Sequence, residues 1–269
     1  MTKSFARMSS KLIIKLLATT PFNIGEWQAM DVGGSPAHAT YELLHETIRY
    51  ALPPTSQTLK DEVQPDLPWA DQHFQERVCG LPLNPAPSHV DWPWAVGRND
   101  RHIDAKGKFD HTYPERYWPK YEKPPSHRES SQIFLRHGIR FTYGDLDDVV
   151  NQLAASPYTR QAYLPVWFPE DTGAVDGQRV PCSLGYHFII REGRLDIVYY
   201  IRSCDILRHY TNDVYFTARL AQWMVIRLKS QAIPVELVPG NLVMHITSLH
   251  GFVGDLTKLH DLKGRWGRA

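Results

Sequence analysis

The chain has 269 residues, a formal net charge of +1 and an apolar fraction of 42%, enough for one sizeable core. Near-neutral charge leaves no electrostatic footprint for nucleic acid, and no apolar run of 18 residues offers a membrane span. Three cysteines without a CxxC pair fit a reducing, cytoplasmic setting rather than a disulfide framework, and no metal is expected. An anion recognised by such a chain should be small and held in a pocket.

Residues 1–18 briefly imitate a signal peptide, but Lys15 interrupts the apolar part and no small-residue cleavage pattern follows. They are expected to open the domain as a strand or helix. Residues 38–51 carry Leu43, Leu44, Thr47, Ile48 and Ala51 at helical spacing and run into Pro53-Pro54, which predicts a helix. Glu42 lies near that stripe, as an edge residue with a solvated head or as something more. From about 52 to 125 the chain is rich in proline and tryptophan, with Pro68-Trp69, Trp92-Pro93-Trp94 and Trp118-Pro119 among the pairs. Such a stretch makes neither a long helix nor a central strand, and its aromatics argue against disorder. It is expected to be an ordered insert over a single domain spanning 1–269, and long ordered loops tend to line sites.

Residues 138–143 lead into a helix over 145–156, capped by Asp145 with Leu146, Val149, Val150 and Leu153 as its apolar face. After Arg160-Gln161 a strand is expected over 162–167. Leu184, Tyr186 and Phe188 then alternate on one arm of a hairpin, and Leu195, Ile197 and Tyr199 on the other. The turn between them supplies Gly193. Cys182 stands at the entrance behind Pro181, and Arg202-Ser203-Cys204-Asp205 stand at the exit. A thiol and an arginine–serine–aspartate set therefore end at neighbouring strand ends, a geometry suited to thiolate attack on an anion held by the arginine. A small core cysteine beside a strand-end salt bridge is the plainer alternative. A broadly apolar helix follows over 213–230, then strands at 235–238 and 241–250, and a last helix to about 262.

The linked motifs Pro181-Cys182, Arg202-Ser203-Cys204-Asp205, Asn151 to Arg160 and Ser248-Leu249-His250 resemble the thymidylate synthase family. The likeness is good from about 146 to 250 and faint before that. It implies an α/β (α+β) fold, a bent mixed sheet with flanking helices, dimerising through the sheet. It also implies a pyrimidine nucleoside monophosphate as substrate and 5,10-methylenetetrahydrofolate as co-substrate. Carried over residue by residue, Cys182 matches the nucleophile, and Arg202 and Ser203 the phosphate binders. Arg160 matches an arginine reaching the partner subunit's phosphate site in a homodimer, with Gln161 in place of a second arginine. Glu42, in the only Glu-Leu-Leu, matches the glutamate that organises protons around the pyrimidine. Trp69 and Tyr113 look like aromatics stacking on the folate, and Asp205 also falls on the cofactor side. His250 matches a sugar-binding histidine, whereas Phe252 stands where the family has a tyrosine and cannot donate a hydrogen bond. Arg7 is a candidate for the family's N-terminal phosphate arginine. The nearby Arg202 is expected to lower the Cys182 pKa.

Eleven residues after the motif arginine, thymidylate synthases place an asparagine that reads uracil. The same count from Arg202 reaches Asp213, as in phage deoxycytidylate hydroxymethylases. A carboxylate accepts from the cytosine amine and, once protonated, donates to N3. A shift of one residue would present Asn212 instead and restore a uracil reader, and Asp213 could also serve as a plain helix N-cap. The expected activity is folate-dependent 5-hydroxymethylation of a cytidine monophosphate, dCMP or CMP. Alternatives are a thymidylate synthase methylating dUMP and a catalytically silent nucleotide-binding relative.

Overall fold

The computed structural model describes residues 4–23, 31–32, 35–36, 39–94, 103–119, 144–173, 179–231, 233 and 236–267. In chain order the elements are α1 (Phe5–Leu17), β1 (Phe22–Asn23), β2 (Asp31–Val32), β3 (Ser35–Pro36) and β4 (Ala39–Ala51). There follow α2 (Ser56–Val63), α3 (Trp69–Arg77), α4 (Tyr113–Tyr117), α5 (Leu146–Ala155), β5 (Tyr163–Pro165), β6 (Ser183–Arg191) and β7 (Arg194–Asp205). The chain closes with α6 (Tyr210–Ser230), β8 (Val238–Phe252) and α7 (Leu256–Gly267). Six strands form a mixed sheet in the order β1-β4-β8-β7-β6-β5, while β2 and β3 pair separately. Only β7 and β8 are parallel within the larger sheet. Joining parallel neighbours needs a long crossover, and α6 is that crossover.

The hairpin forms as its alternation predicts. Phe188, Ile190, Leu195, Ile197 and Tyr199 are buried, and the turn places Glu192 at φ 50° and Gly193 at φ 69°. Two left-handed residues in a two-residue turn give the twist a tight hairpin needs. The buried arm residues pack under α6, whose Val214, Ala218, Ala221, Met224 and Leu228 are all closed to solvent. Val214, Met224 and Leu228 each contribute about 1.5–3 kcal/mol of apolar burial. The opposite sheet face stays partly open: Tyr200 stacks on His245 at 5.2 Å, Thr47 bonds the same imidazole, and Leu44 is 56% exposed.

Residues 38–51 do not form the expected helix. Residues 39–51 are β4, paired antiparallel with β8 from Thr40 opposite Phe252 to Ala51 opposite Asn241. The β-branched and aromatic residues Thr40, Tyr41, Thr47, Ile48 and Tyr50 suit a half-buried pleat better than a helix. His45 sits at φ 59° and interrupts the alternation, so Tyr41 and Leu43 face the core before it and Ile48 and Tyr50 after it. Of the two strands expected at 235–238 and 241–250, Val238 and residues 241–250 belong to one strand, β8, while 236–237 lie outside it and residue 235 lies outside the described residues. The opening segment is a helix, α1. α5 starts as expected, with Asp145 and Asp148 completing a capping box. The Pro/Trp-rich insert is ordered over its described part, with α2, α3 and α4 in it, and Trp69 and Trp118 buried. Residues 138–143, 120–125 and 95–102 lie outside the described residues.

Candidate active site

The sheet's parallel pair ends where α6 begins, and the entrance of β6 lies alongside. The Arg202 N–H donates to the Cys182 carbonyl at 2.9 Å, so thiol and motif arginine sit on directly opposed backbone. The pairing slips between Ser183 and Gly185, an irregularity of the kind that re-aims side chains next to sites. The Arg202 guanidinium holds the turn before β6: Nε donates to the Pro181 carbonyl at 2.9 Å and Nη2 to that of Val180 at 3.2 Å. Nη1 makes no hydrogen bond among the described residues. Arg179 is a second cation acting on the thiol, one that sequence reading passed over although it precedes Pro-Cys by only two positions.

Burial pushes the Cys182 thiol above its ordinary value. Arg202 and Arg179 pull it down, and Asp213 adds to the rise. The expected lowering by Arg202 is present but outweighed, because losing water costs the thiolate more than two cations return. Ser183, next in sequence, bonds the hydroxyls of Tyr199 and, at 3.0 Å, Tyr113. Tyr113 thus stands one residue from the thiol.

α6 starts at Tyr210 with His209 as N-cap, so Asp213 lies inside the first turn and does not cap the helix. Its Oδ2 accepts from the Cys204 thiol at 3.7 Å. Some of its side-chain surface stays open, yet burial of the carboxyl pushes its pKa up to about 7, with Arg77 and the Cys204 contact working the other way. Asn212 points elsewhere. Its Oδ1 accepts from the Asp66 N–H at 3.0 Å and its Nδ2 donates to Asp66 Oδ2 at 2.9 Å, which ties α6 to the insert.

Arg77, at the end of α3, was not singled out from sequence. It is 4% exposed, and its guanidinium lies 4.0 Å from the Tyr113 ring centre and 4.2 Å from that of Phe216. Its carbonyl accepts from Trp118 Nε1 at 2.9 Å. A lone arginine at a helix C-terminus reads as a dipole partner, so nothing local signals this buried position.

Asp205 accepts from the N–H groups of Leu207 and Arg208 and, at 2.7 Å, from Arg208 Nη1. Burial opposes its charge, but Arg208, His209 and His250 hold its pKa below the usual range. Arg208 also pairs with Asp255. A carboxylate has about four acceptor positions, so one remains after these three. His250 pairs with Asp205 across β7 and β8 and with Glu42 across β8 and β4, and Glu42 accepts from Ser248. Burial lowers the His250 pKa while Asp205 and Glu42 oppose the change. Glu42 is therefore grouped with His250 and Asp205, and it is not among the charges acting on Cys182.

Trp69 is 8% exposed and stacks on His73 at 5.1 Å, and Trp92 stacks on His209 at 5.5 Å. The buried Trp69 Nε1 has no hydrogen-bond partner among the described residues. Ser203 is half-buried on β7 opposite Ser248. Arg160 is exposed ahead of β5 and its carbonyl accepts from His187, while Arg7 is exposed on α1. Neither is brought to the Cys182 cluster within the chain. Among the described residues no group of three or more His, Cys, Asp or Glu could hold a metal ion, and no helix is long and apolar enough to cross a membrane.

Residues 89–262 match the family model for thymidylate synthase. A protein of Methanothermobacter thermautotrophicus (strain Delta H) named "Putative thymidylate synthase" is 28% identical over 167 residues, covering 58% of this chain and 71% of that protein. The thymidylate synthase of Rhodopseudomonas palustris (strain BisA53) is 25% identical over 120 residues, 44% of this chain and 37% of its own length. The deoxyuridylate hydroxymethyltransferase of Bacillus phage SP01 is 34% identical over 119 residues, 43% of this chain and 30% of its own.

Proposed function

The chain belongs to the thymidylate synthase family, and from that premise we propose that it 5-hydroxymethylates a cytidine monophosphate, dCMP or CMP. The observation that carries this reading is Asp213: a carboxyl that burial pushes up to about 7, grouped with Cys182 while Asn212 is turned to Asp66. Cytosine offers an amine donor and an N3 acceptor, and a carboxyl that can hold or release a proton meets both. Cys182 adds to C6 of the pyrimidine, which makes C5 nucleophilic. Arg202 and Arg179 favour the thiolate in that step, and a phosphate arriving at Arg202 Nη1 orients the nucleotide.

The residues present fit methylenetetrahydrofolate, which supplies the one-carbon unit when bound. Trp69 and Trp92 with their stacked imidazoles make flat walls, the orphaned Trp69 Nε1 offers a donor, and Asp205 keeps one free acceptor position. Tyr113 closes the pocket beside Ser183. Glu42, Ser248 and His250 form a polar group that orders water near the sugar and base. Hydroxylation by water, rather than reduction to a methyl group, is favoured by the likeness to the phage hydroxymethyltransferase. That relative's name specifies deoxyuridylate, so a uridylate substrate is the second reading, with a thymidylate synthase beside it.

The partly open sheet face, with Leu44, Tyr163, Tyr200 and His245, supports a homodimer in which Arg160 completes the partner's phosphate site. A cytoplasmic setting agrees with the unpaired Cys79, Cys182 and Cys204. Incubation with dCMP, CMP or dUMP plus methylenetetrahydrofolate, followed by mass analysis, tests the proposal. A cytidylate product 30 Da heavier, the added mass of CH2O, supports it. A methylated uridylate, or no product from any nucleotide, contradicts it.

A further inference from the structure

Arg77 has an unusual set of neighbours for a buried cation. Two aromatic faces cover it, the Tyr117 phenol acts on its charge, and Nε is buried with no hydrogen-bond partner among the described residues. A guanidinium withdrawn from water is expensive to hold unless charge or hydrogen bonds compensate. No carboxylate lies within ion-pair distance of it among the described residues, and Asp213 is a carboxylate whose charge acts on it. Phe216, one of its two covers, lies three residues beyond Asp213 on the same face of α6. Tyr113, the other, bonds Ser183 beside the nucleophile. Arg77 is thereby fixed by α3, α4 and α6 at the wall of the pocket.

We propose that Arg77 is the charge partner of Asp213, a positioning residue that decides which hydrogen-bond pattern the carboxyl offers to the base edge. The inference rests on Asp213 reading the base. The other titratable groups coupled to Asp213 are the thiols of Cys182 and Cys204 and the phenols of Tyr113, Tyr186 and Tyr199. Burial holds all five in their neutral forms, which leaves Arg77 as the full charge acting on Asp213. Burial favours the neutral acid and Arg77 the carboxylate, and near balance the proton can pass to cytosine N3 and back. Adding sulfur at C6 raises electron density on the ring, and protonation at N3 relieves it. An acid that titrates near the working pH does this best. Without the cation, Asp213 would keep its proton. The neutral acid would still suit cytosine, so binding would persist to higher pH while the chemical step slowed.

The test is carboxyl-carbon NMR of the ligand-free protein labelled at aspartate, with Asp213→Asn for assignment, alongside cytidylate binding and kcat. In Arg77→Met and Arg77→Gln the Asp213 titration should rise by about one unit or more, and kcat should fall about tenfold or more. Cytidylate binding at pH 8.5 should be retained or improved, which a merely structural loss would not produce. Arg77→Lys should stay within about half a unit of native. Folded neutral variants whose Asp213 titrates as in the native protein overturn the proposal. If neither neutral variant folds, Arg77→Lys decides, since a rise of about a unit with the charge kept also overturns it. Should Asp213 move while the choice between cytidylate and uridylate does not, the base-reading role fails and the pairing with Arg77 stands.

Discussion

The Arg202 N–H and the Cys182 carbonyl meet at 2.9 Å, and the Arg202 side chain returns to the carbonyls of Pro181 and Val180. One arginine thus fixes both the backbone of Cys182 and the turn that precedes it.

Cys182→Ser should abolish turnover while nucleotide still binds, since a serine hydroxyl is a far poorer nucleophile at neutral pH. Cys79 is exposed, and Cys79→Ser should leave activity near native. Calorimetric binding and steady-state turnover check both. A Cys182→Ser protein with a large share of native activity contradicts covalent catalysis.

Arg116 and Asp171 form a two-pronged buried ion pair at 2.8 and 2.9 Å, 7% and 6% exposed, which anchors the helix bearing Tyr113. Arg116→Ala should cost about 3–5 kcal/mol, because it strands a buried carboxylate. Lys15→Ala, at the exposed pair with Glu46, should cost about 1 kcal/mol or less. Denaturant unfolding of the two variants gives the comparison, and equal losses would contradict the burial argument.

The hairpin and α5 were legible because each satisfies several local rules at once, alternation with a glycine turn for one and an acidic cap with a helical stripe for the other. β4 was not. Leu43, Leu44, Thr47 and Ile48 fit helical spacing by coincidence, and the left-handed His45 hides the period of two by reversing it midway. Arg77 was hidden for another reason, since its burial depends on Tyr113 and Phe216 arriving from distant segments. The family resemblance singled out Cys182, Arg202 and Asp213, but the rise in the thiol pKa comes from three-dimensional burial that no motif shows.

Burial pushes the Asp213 carboxyl up to about 7, from 3.8 as its ordinary value. The folded state therefore binds more protons than the unfolded state between those limits, and this group's contribution to stability falls as pH rises from about 4 to about 7. The loss is on the order of 2–4 kcal/mol. Asp213→Asn should flatten that slope, and parallel stability curves for the two proteins from pH 4 to 8 would contradict the burial of the carboxyl.

The proposed selection of cytosine by Asp213 is tested most directly by kcat/KM for dCMP and dUMP in native protein and Asp213→Asn. A fixed amide sets a donor against the cytosine amine or leaves a buried group unpaired, at about 1–3 kcal/mol, or roughly fivefold to over a hundredfold in selectivity. Native protein should prefer dCMP, and the variant should lose dCMP activity and gain on dUMP by that margin. A native preference for dUMP, or a base preference that the substitution leaves unchanged, contradicts the account.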